Sequence, residues 1–146
     1  MKNENKRTVS IMLFEDDDVD AMGVRRALKK QRLPNPLIRA KNGREGLALM
    51  RERTLKQPFL VIMDLNMPLM NGMETLREIR DDPKLTKCVV FILTTSQAPE
   101  DIDSAYGLHV AGYIVKTSLA NGLADFSQLL EHYWRLVELP VEQGQE

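Results

Sequence analysis

Five short apolar runs divide this chain, and their spacing constrains its fold more than any other feature. They are "VSIMLF" (9–14), "PLIRA" (36–40), "FLVIM" (59–63), "CVVFIL" (88–93) and "YIV" (113–115). The second is the weakest and follows the breakers Pro34 and Pro36; the other four are continuous rather than alternating. Successive strand residues point to opposite faces, so a continuous run fits a strand covered on both sides. Helical patterning fills the gaps. Val24, Leu28 and Leu33 punctuate a basic stretch, and Leu47, Leu49 and Met50 mark a short helix opening after Gly43. Met73, Leu76 and Ile79 form another, entered by "NG" and closed before Pro83. Pro99 to Gly107 make a brief helix whose first turn suits proline. The last helix, roughly 123–139, is the longest and stops at Pro140. Strand and helix thus alternate five times, which predicts an α/β fold: a parallel sheet, helices on both faces, right-handed crossovers. Ligands of such sheets sit beyond the carboxyl ends of the strands, where strand order reverses.

The chain's 146 residues suit one domain, placed at 8–139 with loose tails at 1–7 and 140–146. With 43% hydrophobic and 28% charged residues it falls in the soluble globular class. A net charge of −1 offers no pull toward nucleic acid or anionic lipid, and the length leaves no room for a DNA-binding domain. The sole cysteine, Cys88, excludes an intrachain disulfide or a thiolate metal cluster and reads as a small buried hydrophobe. The polar start "MKNENKR" is no signal peptide, and no apolar run approaches the roughly 18 residues of a membrane span. A cytoplasmic protein is expected.

The strand ends carry the chemistry. The first ends in Glu15, Asp16, Asp17 and Asp18, the third in Asp64, the fourth in Thr94, Thr95 and Ser96, and the fifth in Lys116. Singly, each has a plainer explanation: helix caps for the acids, a turn residue for Asp64, a local cap for Thr94, a solvated charge for Lys116. Together they put carboxylates, a hydroxyl and an amine on one edge. Two carboxylates about 5 Å apart repel by roughly 3 kcal/mol at an effective dielectric near 20. Gathering Glu15, Asp16 and Asp64 therefore calls for an offsetting charge, and Mg²⁺ fits: it takes hard oxygen ligands and keeps several waters. Phosphoryl transfer then assigns the remaining groups, since its catalysis is chiefly positioning and charge neutralisation. Asp64 would be the nucleophile, with Mg²⁺, Lys116 and Thr94 each receiving one phosphoryl oxygen. His109, in a loop, and His132, on the polar side of the last helix, adjoin no such cluster and read as surface residues.

This ordered set resembles the receiver domain of two-component response regulators, over residues 8 to about 139. "IMLFEDD" is similar to its first strand and acidic pair, here Glu15 and Asp16. "LVIMDLNMPLMNGMETL" is similar to the phosphoacceptor segment, implying Asp64 as the phosphorylation site and Asn66 as a backbone metal ligand, with Pro68 and Gly72 also in place. "VVFILTTS" corresponds to the fourth strand with its switch hydroxyl, Thr94, and "AGYIVK" to the fifth, with Lys116 as the lysine and Tyr113 as the aromatic switch. The resemblance implies a flavodoxin-like fold with strand order 2-1-3-4-5. It also implies a Mg²⁺-dependent phosphoacceptor with no activity beyond its own phosphorylation and dephosphorylation, served by a sensor histidine kinase. One departure stands out. Receivers usually have proline after the lysine, often with a cis peptide that aims the amine. Here Thr117 follows, and a cis bond without proline costs about 2.5–4 kcal/mol, which puts the amine's placement in question.

The ending "FSQLLEHYWRLVELP", with "EDDDVDA" and "LTTSQAPEDI", further resembles the phytochrome-associated single-domain response regulators. That implies a bacteriophytochrome kinase as partner and a homodimer built on the last helix. The helix pattern agrees. Leu123, Phe126, Leu130, Trp134 and Val137 form one stripe and Leu129, Tyr133 and Leu136 an adjoining one, together spanning roughly 160°, wider than the ~100° needed to cover a sheet. Leu129, Tyr133, Trp134 and Leu136 are the predicted interface. Two rivals fit less well. A phosphatase working through an aspartyl phosphate would need a second acid at the position of Asn66 and a substrate cap. A flavodoxin-like binding module or degenerate receiver would leave the acids, hydroxyl and lysine unexplained.

Overall fold

The computed structural model describes residues 10–31, 35–52, 59–137 and 139. Five strands, β1 (Ser10–Phe14), β2 (Leu37–Ala40), β3 (Phe59–Met63), β4 (Val89–Thr94) and β5 (Gly112–Val115), form one parallel sheet of order β2-β1-β3-β4-β5. They alternate with α1 (Asp18–Lys30), α2 (Gly43–Arg51), α3 (Gly72–Asp81), α4 (Pro99–Gly107) and α5 (Leu123–Leu136). The expected α/β architecture and strand order are both present.

The continuous apolar runs divide residue by residue between two cores, as the two-residue strand repeat requires. Met12, Phe14, Val61, Met63, Val90 and Ile92 pack with Leu47 and Met50 of α2, Leu76 and Ile79 of α3, and Ala105 of α4. Ile11, Leu13, Leu60, Ile62, Phe91 and Leu93 pack on the other face with Ala21, Val24 and Leu28 of α1 and Phe126 and Leu130 of α5. Fully burying one such side chain contributes about 1.5–3 kcal/mol, so a one-residue slip of any central strand would exchange its two faces at great cost. Cys88 is buried, and burial pushes its thiol up to about 11, as suits an inert core residue.

Local signals start the helices. Asp17 caps α1 by accepting from the Asp20 amide (2.9 Å), Asn42 caps α2 through the Glu45 amide (2.8 Å), and Asn71 and Glu74 form a reciprocal capping box at α3. Pro99 opens α4 without a side-chain cap. The last helix is the longest, but it ends at Leu136, three residues short of the expected Leu139: Val137 is already extended (ψ 137°). Leu139 instead lies against the α1–α5 core, and Leu33 and Pro140 fall outside the described residues.

At the opposite, amino-terminal edge of the sheet, Arg80 of α3 ties loops together. Its guanidinium donates to the carbonyls of Thr86 (2.7 Å), Cys88 (2.8 Å), Leu108 (2.8 Å) and His109 (2.9 Å). The order β2-β1-β3 means the chain leaves β1 to one side and returns to β3 on the other. A crevice therefore opens beyond the carboxyl ends of β1 and β3.

Candidate functional site

That crevice holds the phosphoryl-transfer candidates. Asp64 directly follows β3, and its amide extends the sheet ladder by donating to the Phe14 carbonyl (3.0 Å). Asp64 is 7% exposed. Oδ1 accepts from the fully buried Thr94 hydroxyl (2.7 Å) and from the Asn66 amide (3.0 Å); Oδ2 accepts from Lys116 Nζ (3.0 Å). Backbone packing sets this placement. Gly72, opening α3, donates its amide to the Leu65 carbonyl (3.0 Å), and a Cβ there would stand 2.4 Å from the Asp64 carbonyl oxygen.

Lys116 occupies the centre. Besides Asp64, its ammonium donates to Glu15 Oε1 (2.8 Å) and to Asp20 Oδ2 (2.7 Å), so all three N–H bonds meet carboxylates. The Thr117 substitution does not keep the lysine from the site: Lys116 opens a single 3₁₀ turn, Lys116–Ser118, and reaches Asp64 from there. Burial opposes the ammonium charge, yet the bonds from Asp20, Glu15 and Asp64 outweigh it and hold Lys116 above the ordinary lysine range. Burial drives Glu15 the other way: its carboxyl is pushed up to about 7, with the Lys116 bond opposing and the Asp64 charge adding. The gathered carboxylates call for an offsetting cation, and part of that work falls to the lysine itself.

Glu15, Asp64, Thr94 and Lys116 are thus brought together, whereas Asp16 is exposed and points no hydrogen bond at any described residue. Both Glu15 oxygens are committed, Oε1 to Lys116 and Oε2 to the Asp17 amide (3.2 Å). Among the described residues no three acidic, imidazole or thiolate side chains converge as a ready cage for a metal. The donor chemistry still fits a partly hydrated hard cation, which needs few protein ligands: the carboxylates of Asp16 and Asp64 and the main-chain carbonyl of Asn66 are all oxygen donors. Those three could hold it, with Glu15 acting from behind through Lys116.

Two residues with no motif to mark them, Asp20 and Arg39, also act at this edge. Asp20 enters the sequence only as the further acid of "EDDDVDA", and nothing local announces a lysine 96 residues away. Arg39, at the end of β2, donates through Nε to the Glu15 carbonyl (2.9 Å) and through Nη1 to Asp18 (2.8 Å), fixing the loop that carries the acids. Tyr113 is half-buried and donates its hydroxyl to the Ser96 carbonyl (3.0 Å), two residues past Thr94.

The predicted interface residues separate into two kinds. Leu129 (44% exposed) and Leu136 (83%) face outward. Tyr133 stacks edge-on against Phe91 at 5.2 Å, and Trp134 packs on the α1–α5 core. His109 and His132 are both exposed.

Comparison with known proteins agrees with this geometry. Residues 11–126 match the response regulator receiver domain. Response regulator Rcp1 of Synechocystis sp. is 32% identical over 97% of this chain and 99% of its own length. The crystal structure of the phosphorylated cyanobacterial phytochrome response regulator RcpA superposes with a TM-score of 0.82 at 32% identity, covering 92% of this chain and 99% of that one. The Mn²⁺-bound form of Rcp1 does so with a TM-score of 0.82 at 33% identity, covering 91% and 99%. Fold, strand-end residues and relatives agree: this chain belongs to the response regulator receiver family.

Proposed function

We propose that this response regulator, a receiver domain over 8–139, accepts a phosphoryl group on Asp64 and passes the signal on by protein–protein contact. One observation carries the proposal. The Asp64 carboxylate is nearly buried, yet Thr94 and Lys116 hold its two oxygens separately, at 2.7 and 3.0 Å. An Asp64 oxygen attacks phosphorus; the P–N bond of a phosphohistidine, or the P–O bond of acetyl phosphate, breaks, and its electron pair leaves with the departing group. Lys116 and Thr94 are the donors for the negative oxygens of the transferred group. A bound Mg²⁺ would add charge neutralisation, held by Asp16, Asp64 and the Asn66 carbonyl; the Mn²⁺-bound form of Rcp1 supports a divalent cation here.

Mass spectrometry after incubation with acetyl phosphate and Mg²⁺ tests the assignment. A gain of about 80 Da, lost in Asp64→Asn, is expected; no adduct on the wild-type chain from acetyl phosphate or a cognate kinase overturns it. The Tyr113 hydroxyl bond to the Ser96 carbonyl supports a switch in which Thr94, moving toward the phosphoryl group, displaces the segment that Tyr113 holds. The donor is a sensor histidine kinase in the cytoplasm, and the likeness to RcpA and Rcp1 supports a bacteriophytochrome. Exposed Val19 and Met22 on α1 and Leu69 after β3 supply apolar surface near the acids for that partner. Exposed Leu129 and Leu136, which share one stripe of α5, support a homodimer through that helix. Light scattering on a Leu129→Ala/Leu136→Ala double variant should report loss of that dimer, and a wild-type monomer in both phosphorylation states rejects it.

A further inference from the structure

We propose that Asp20 is a positioning residue for Lys116: from the first turn of α1 it supplies the bond that keeps the ammonium over Asp64 while Asp64 itself reacts. The inference rests on Asp64 being the phosphoacceptor. A lysine amine sits on four methylenes and loses about 2 kcal/mol of rotamer freedom when fixed, so it stays over one point only if something pins it. Here three bonds from three separate elements do so: Glu15 beyond β1 (2.8 Å), Asp20 on α1 (2.7 Å) and Asp64 beyond β3 (3.0 Å). The longest is the one that must be released, since phosphorylation turns an Asp64 oxygen into an acyl-phosphate oxygen.

Glu15 and Asp20 then remain. Glu15 alone would leave the amine free to swing about one contact, whereas two contacts from different directions hold it where the phosphoryl oxygen arrives. Beside the pair lies a small cavity of about 110 Å³, lined by Asp20, Lys116, Val24, Leu119, Gly122 and Leu123. Its walls are otherwise mostly apolar, so an amine that left Asp20 would have room to drift from Asp64 and no other carboxylate there to bind.

The test uses the full chain, acetyl phosphate and Mg²⁺, comparing wild type with Asp20→Ala, Asp20→Glu and, as a charge control at the far end of α3, Asp81→Asn. Asp20→Ala should slow phosphorylation by roughly tenfold, the scale of one charge-assisted hydrogen bond at a partly exposed site. Asp20→Glu, which can regain the bond, should recover most of that rate, and Asp81→Asn, which removes equal charge from an exposed residue remote from the site, should stay within about twofold of wild type. A structural readout runs in parallel: the ¹⁵N resonance of the Lys116 ammonium, protected from solvent exchange in the wild type, should broaden in Asp20→Ala and return in Asp20→Glu, with unchanged melting curves. An Asp20→Ala rate equal to or above wild type, with the ammonium signal intact, overturns the assignment while leaving Asp64 as phosphoacceptor. A wild-type chain that takes up no phosphoryl group overturns both.

Discussion

Replacing Gly72 by alanine should damage stability and phosphoacceptance together, because this glycine is where α3 rests on the backbone of the reacting residue. A Cβ at position 72 would lie 2.4 Å from the Asp64 carbonyl oxygen and 2.7 Å from Leu65 Cα, against an ordinary contact of at least 3.4 Å. Both neighbours are main chain, so no rotamer change relieves the clash, and α3 or the Asp64 segment must move by about 1 Å. Overpacking of this kind costs about 1–3 kcal/mol, and the better helix propensity of alanine returns less than about 1 kcal/mol. A net loss of about 2 kcal/mol corresponds to a melting point lower by about 6–10 °C. The displacement falls on the nucleophile, where about 1 Å of misplacement can cost up to about a hundredfold in rate. Thermal melts followed by circular dichroism, with acetyl-phosphate labelling well below the transition, separate the two effects. Gly23→Ala is the counterpart: its Cβ would meet only the tip of Leu123, Cδ1 at 2.8 Å, a side chain able to rotate away. It should leave stability unchanged or improved and the labelling rate intact. A Gly72→Ala protein that melts and labels like wild type would refute the idea that α3 seats Asp64.

Three further outcomes are expected. In EDTA, the stability contributed by Glu15 should fall as pH rises from 4.5 to about 7 and then level off, because its protonated form is favoured in the folded state over that window; Glu15→Gln should flatten this part of a urea-melt pH series. Arg80→Met strands four carbonyls at the edge of the sheet remote from Asp64, so equilibrium unfolding should show a loss of about 3 kcal/mol while labelling of the folded protein stays near wild type. Thr94→Val keeps the buried shape but removes the donor 2.7 Å from Asp64 Oδ1, and labelling should slow by about tenfold with little change in the melting point.

Much of this protein is legible along the chain. Three of the four continuous apolar runs form strands buried on both faces and supply the two cores in alternation, whereas the fourth, "YIV", forms the edge strand β5, whose residues are only partly buried because no further strand covers it. Asn71 and Glu74 start α3 through bonds three residues apart, so that helix could be placed without knowing the fold. The chemical types at the strand ends were readable too, since the carboxyl edge of a parallel sheet is where functional side chains collect. Other features were not. The three bonds to Lys116 span 101, 96 and 52 residues, and no local pattern encodes a contact at that range. The apolar stripe on α5 showed more hydrophobic surface than a sheet needs, but not that Tyr133 would be used up on Phe91 while Leu136 stays outside. Local periodicity therefore settled which elements form, because hydrogen-bonding geometry and side-chain repeat act between near neighbours. Which charge answers which was decided only when the sheet closed and brought β1, α1, β3 and β5 around a single ammonium.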